Sequence, residues 1–283
     1  EQDGYAPTRR AHDRRAVCDA DLADLGTEAF AGVFQPCMAL VSTRRAADVD
    51  ADGSEPWPVE RRDLDGAQRA LLERLAALPP LPDHLFGERG LQTSRDDAAW
   101  MQAASDEAHT VALRVGADVE AFRRKAPSLY ADPRHFGRRL RPTSDWGEVR
   151  LFIRQTARVP IAALADGVGF RNSILAGFDE PEHPAAFLVA WLNATPLRWL
   201  HFFRHRDARQ GMPQVKIGHL RTIPRPPRRE LVGSLAALGR ALSDANCGAD
   251  EAAQRDLDAL AADALGLDGG ERAIVARWRE EAR

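Results

Sequence analysis

Lysine is almost missing from this chain: only Lys125 and Lys216 accompany the arginines that make up the rest of its 39 basic residues. A GC-rich coding bias produces that imbalance by itself, so it carries no function. Cysteine is scarce as well. Cys18, Cys37 and Cys247 are odd in number, far apart and never in a Cys-x-x-Cys pair, which excludes a disulfide framework or a zinc-finger-like site and leaves free thiols as the expectation. No apolar run approaches the roughly 20 residues that span a bilayer. The first fifteen residues, Glu1 to Arg15, are polar, without the apolar core of a signal peptide, so a cytoplasmic location and no membrane partner are expected.

Several catalytic signatures are missing too. The chain has no GxxxxGK[ST] and no GxSxG, and DGVGF offers only Gly167 and Gly169, short of a GxGxxG. Nucleotide hydrolysis and nucleophilic-serine chemistry therefore have no candidate residues. His201 and His205 share a helix face at i, i+4, but HFFRH lacks the glutamate of a zinc hydrolase. They are expected to be structural or DNA-facing, with no metal. Asp179, Glu180 and Glu182 precede a helix start, where the macrodipole favours carboxylates without catalysis.

What is present is an ordinary globular composition, 44% hydrophobic and 29% charged over 283 residues. Its net charge of −3 is unevenly spread: residues 1–133 sum to −8, residues 134–229 to +10 and residues 230–283 to −5. A cationic middle third suits a polyanion, because neutralising phosphates releases counterions.

Residues 21–45 read as strand, turn, strand, and the acidic, Pro- and Gly-containing stretch 46–58 as a surface loop. Leu64 to Leu78 has helical spacing and stops at Pro79 and Pro80. Residues 85–160 are expected to be irregular and mostly β, with strands at Thr110–Val115 and Glu148–Gln155. Pro184 starts one helix, and Thr195-Pro196 is read as the N-cap and first residue of the next. Arg204–Gln214 is a polar surface loop, and Arg221–Arg229 is proline-rich. Leu231–Leu242, Asp256–Leu265 and Glu271–Trp278 close the chain as helices. The expected class is α+β: an irregular, mostly β recognition domain with inserted helices, followed by a C-terminal helical bundle.

Within the cationic segment, Arg204, Arg206, Arg209, Lys216, Asn172, Gln210 and Gln214 mix phosphate ligands with side chains that pair with base edges. Arg154 and Arg171 join them as candidate DNA contacts. No catalytic, cofactor-binding or metal-binding residue is nominated.

Several segments, in order, resemble one family. They are GLQTSRDDAAW (90–100), IRQTARVPIAA (153–163), FRNSILAGF (170–178), FLVAWLNATPLRW (187–199) and DARQGMPQVKIGHLRTIPRPP (207–227), with the tail at 257–278. Together they look like the TaqI-like C-terminal specificity domain of adenine-N6 DNA methyltransferases, found also in type II restriction-modification proteins and phage-defence methylases. The resemblance implies double-stranded DNA as partner. It implies an upstream methyltransferase domain that binds S-adenosylmethionine, of which 1–45 would be the terminal strands, 46–62 a linker, 63–229 the target-recognition domain and 230–283 the helical segment. Restriction or defence subunits are further partners it suggests. The family's NPP[YF] tetrapeptide and its Gly-rich donor loop are absent, so no methyl transfer is expected of this chain by itself. Where the family has a glycine after a threonine, this chain has Ser94, and Asp96 or Asp97 replaces its asparagine. The alternative is a protein-interaction scaffold in a defence complex, anchored by Trp57, Trp100, Trp146, Trp191, Trp199 and Trp278.

Overall fold

A computed structural model describes residues 6–18, 23–26, 37–51, 64–88, 90–92, 100–136, 146–205 and 213–281. The chain divides into two compact units, one drawn from residues 1–69 and 208–212, the other from 70–207 and 213–283. The fold class is α+β, with several small sheets and a C-terminal helical region.

The first unit holds helix α1 (Ala6–Asp13) and two antiparallel ladders, β1 (Ala16–Cys18) with β4 (Ser42–Arg44) and β2 (Ala23–Gly26) with β3 (Cys37–Ala39). Strands thus occur where residues 21–45 were read as strand, turn, strand. Most of the expected linker, 52–62, lies outside the described residues. The division between the units falls inside helix α2 (Gly66–Ala76). Asp65 opens α2 with a reciprocal capping box: its carboxylate accepts from Gln68 N at 2.8 Å, while its own N–H donates to the Gln68 side chain at 2.9 Å.

In the second unit, two four-stranded sheets carry the β structure. The first runs β13 (Gly169–Phe170), β7 (Val111–Arg114), β10 (Leu129–Ala131), β6 (Met101–Gln102), with β13 parallel to β7 and the other pairs antiparallel. The second runs β12 (Ala162–Leu164), β11 (Leu151–Arg154), β14 (Ile174–Gly177), β5 (Phe86–Gly87), all antiparallel. A short hairpin, β8 (Val119–Glu120) with β9 (Arg123–Arg124), lies between β7 and β10 in the chain. Strands β12 and β14 are buried at every position, which requires the continuous apolar runs AAL and ILAG instead of an alternating pattern. Phe152, Phe170, Ile174 and Ala176 form one core cluster, and Leu91, Trp100, Met101, Leu113 and Ala131 another, with Trp146 packed against both.

Helix α3 (Ala185–Asn193) is buried along its whole length, as AAFLVAWLN demands. It ends at Ala194, whose extended backbone separates it from α4 (Thr195–Arg204). Pro196 sits in the first turn of α4, where a missing N–H costs no intrahelical bond. The N-cap is Ala194, not Thr195: the threonine is already helical and its hydroxyl serves a different partner, the Asp258 carboxylate at 2.7 Å.

Beyond a short helix, α5 (Ile217–Leu220), come α6 (Val232–Ala245), α7 (Glu251–Ala264) and α8 (Gly269–Glu281). Gly239 of α6 lies so close to α3 that an added Cβ would stand 2.1 Å from the Ala186 carbonyl oxygen. Phe202 and Phe203 of α4 meet Trp278 of α8, with ring centroids 5.6 and 6.4 Å apart. The proline-rich stretch is not a free connector. Leu81 N donates to Ile223 O, Arg225 N to Pro79 O, and Trp191 Nε1 to Pro224 O, each at 2.8 Å. Among the described residues, no helix is long and apolar enough to cross a membrane.

Candidate nucleic-acid interface

Chain segments that are distant in sequence lie side by side where the two sheets of the second unit adjoin. Strand β13 belongs to the first sheet and β14 to the second, and only Arg171, Asn172 and Ser173 separate them. The link is a tight turn, closed by Ile174 N donating to Arg171 O at 2.9 Å. Asn172 is the first residue of its tip and is exposed. Ser173 fixes the turn from below, its Oγ accepting from Gly116 N at 2.9 Å.

Three segments are laced to this turn through their backbones. Leu91 bridges Arg171 in parallel, and Asn172 N donates to Leu91 O at 3.1 Å. Gln155 N donates to Ser173 O at 3.0 Å, while Gln155 O accepts from Val215 N at 2.8 Å. Thr156 bridges Gln214. Arg154, Arg171, Asn172, Gln214 and Lys216 therefore belong to one network of neighbouring segments. Arg206, Arg209 and Gln210 lie outside the described residues. Gln92 and Gln155, which neither charge nor motif singles out, join the group.

Several arginines of the cationic segment are tied to backbone carbonyls. Arg154 Nε donates to Thr156 O at 3.0 Å, Arg198 Nε to Pro160 O at 3.0 Å, Arg204 Nη1 to Thr222 O at 3.2 Å and Arg221 Nη2 to Phe86 O at 3.4 Å. A carbonyl orients a guanidinium without cancelling its charge, so these ties fix cations in place and leave the field of the +10 segment largely intact. Burial pulls Arg204 below the usual arginine range and Arg198 down to about 10, the latter partly offset by Asp258. Both remain cations at neutral pH. The Lys216 ammonium and the terminal nitrogens of Arg154 have no partner among the described residues.

No protein-family model matches this chain, and no curated protein matches it.

The other sequence candidates resolve as structure. His201 and His205 meet His219 of α5, with ring centroids 5.5 and 4.2 Å away. The rings of His205 and His219 are stacked at an interplanar angle of 3°, so their in-plane lone pairs run side by side and do not converge on one point. Burial, reinforced by His219, holds His201 down at about 3, and His205 is lowered by the same causes. Both are neutral imidazoles at pH 7, His201 buried and His205 half-buried. Glu180 of the acidic cluster binds His183 at 2.6 Å and His84 at 3.0 Å. Gly169 packs on Leu113 and Trp146 inside the core, where no side chain would fit. A larger cleft, about 470 Å3, opens among α4, α7 and α8, but it holds none of the nominated residues. Two of its arginines are already closed onto carboxylates, Arg272 onto Asp263 and Arg279 onto Asp258.

Proposed function

We propose that this chain is a DNA target-recognition module that positions duplex DNA for adenine-N6 methylation by an upstream domain. The observation carrying this reading is the lacing of Arg154, Asn172, Gln214 and Lys216 into adjacent segments by backbone hydrogen bonds and bridges. Such a surface combines cations for phosphates with amides for bases, the division of labour that DNA recognition uses. S-adenosylmethionine and the catalytic tetrapeptide are assigned to the upstream domain, and no residue of this chain is given a catalytic or donor-binding role.

For the alternative of a protein-interaction scaffold, three of the six tryptophan anchors are not available to a partner. Trp191 and Trp199 are fully buried and Trp100 is 5% exposed, so these three anchor the chain's own core and not a partner.

Titration of the 283-residue chain with random-sequence duplex at two salt concentrations tests the reading. Affinity should fall steeply as salt rises, by roughly tenfold or more between 50 and 200 mM if several phosphates are contacted. Binding indifferent to salt, or no binding at low salt, would remove it.

A further inference from the structure

Resting on the DNA-recognition reading, we infer that Gln92, Gln155 and Asn172 form a specificity pocket that reads a base pair through its adenine edge. The three residues line one small cleft of about 100 Å3 together with Glu88, Gly90 and Ile174.

Their backbones are pinned and their side chains are not. Gln155 is held on both sides, by Ser173 and Val215, and Asn172 is held by Leu91, which itself donates to Phe170 O at 2.7 Å. None of the three carboxamides hydrogen-bonds within the described residues. Uncommitted amides on a fixed backbone reach a ligand without first breaking a protein contact, and binding has only the side chains, not the main chain, left to order.

The approach is built into the main chain. A Cβ on Gly90 would lie 2.5 Å from the Arg171 carbonyl and 2.7 Å from Asn172 N, so only glycine lets the segment bearing Gln92 come this near the turn bearing Asn172.

The chemistry of the cleft selects among ligands. Glu88 on its wall repels a phosphate, so the cleft itself is not a backbone-binding site. The cations Arg154 and Lys216 stand on the neighbouring segments, where phosphates would be met. A carboxamide presents one acceptor and one donor in a plane. In the major groove adenine offers the complement, an N6 donor beside the N7 acceptor. Guanine shows two acceptors there, thymine an acceptor and a methyl group, and cytosine a single donor.

Selection from a pool of random duplexes by the full chain, followed by sequencing of the retained fraction, tests the inference. The unaltered chain should enrich sites with an adenine at one fixed position. Gln155→Ala and Asn172→Ala should each weaken the preference there by roughly tenfold, with other positions and the salt dependence unchanged. Asn172→Asp, close in shape but without the amide donor, should move the preference toward cytosine, whose N4 donates to a carboxylate. Melting temperatures matching the unaltered chain show that each variant is folded. If the variants retain duplex and select the same motif as the unaltered chain, or if the unaltered chain retains duplex with no motif, the pocket is overturned while DNA binding stands. If the unaltered chain retains no duplex at low salt, both readings fall.

Discussion

Thr195 gives both its backbone N–H and its hydroxyl to Asp258, at 2.8 and 2.7 Å, so one carboxylate of α7 caps the start of α4. The same carboxylate accepts from Gln254 at 2.9 Å and from Arg279 at 3.3 Å. Removing it strips partners from three elements at once. Asp258→Ala should cost about 2 kcal/mol in a urea unfolding titration, the scale of leaving a partly buried donor and a nearby cation unmatched. A loss under 0.5 kcal/mol would mean that water replaces the cap.

The buried histidines make stability depend on pH in a defined window. His201 has its folded value lowered to about 3, against about 6.5 when unfolded, so the unfolded chain takes up the proton first as pH falls. The stabilisation is complete above about pH 6.5 and drains at about 1.4 kcal/mol per unit below it, roughly 2 kcal/mol by pH 5. Glu180, lowered chiefly by its hydrogen bond from His183, acts in the same direction but only below the ordinary glutamate value of 4.5. Urea midpoints at pH 7.5 and 5.0 should therefore separate the chain from His201→Leu, which cannot take up a proton and should show the smaller drop. Equal drops in the two proteins would rule out His201 as the source.

Glycine to alanine inside a helix ordinarily stabilises by about 1 kcal/mol. Gly239→Ala should do the reverse. Its new methyl would meet the Ala186 carbonyl oxygen at 2.1 Å and the Ala190 Cβ at 3.0 Å, forcing α3 and α6 apart. Overpacking of this kind costs about 1–3 kcal/mol, read as a fall of several degrees in melting temperature. An unchanged or raised melting temperature would show that the two helices separate freely.

Arg154 and Lys216 are predicted to act on phosphates. Arg154→Ala and Lys216→Ala should each weaken duplex binding evenly across sequences and reduce the slope of log K against log salt by about one. A sequence-dependent loss would instead place these cations on bases.

Elements with a strong hydrophobic period were legible in the sequence; partnerships across long separations were not. Leu71 and Leu75 announce α2, and the apolar run of α3 announces a buried helix. By contrast, α7 begins at Glu251, ahead of the expected Asp256, because Asp250 caps it through Ala253 N at 2.8 Å and the alanine-rich first turn shows little period. Thr195 looked like an N-cap because Ser and Thr caps are common; its true partner is 63 residues away. The same holds at the interface. Charge and side-chain chemistry brought out Arg154, Asn172, Gln214 and Lys216, but an isolated glutamine carries no signal, and Gln92 and Gln155 became visible only when backbone pairing set them beside Asn172.

The turn from Arg171 to Ile174 belongs to both sheets, since Phe170 pairs with Arg114 on one side and Ile174 with Arg154 on the other. One residue added or removed here would either change the length of the three-residue link or shift β14 against both β11 and β5 and turn its side chains to the opposite face. Either outcome moves Asn172 relative to Leu91 and Gln155, so this place tolerates little change of length. Divergence at Asn172 must proceed by exchanging one side chain for another, so copies of the fold with altered preferences should align through this turn without a gap.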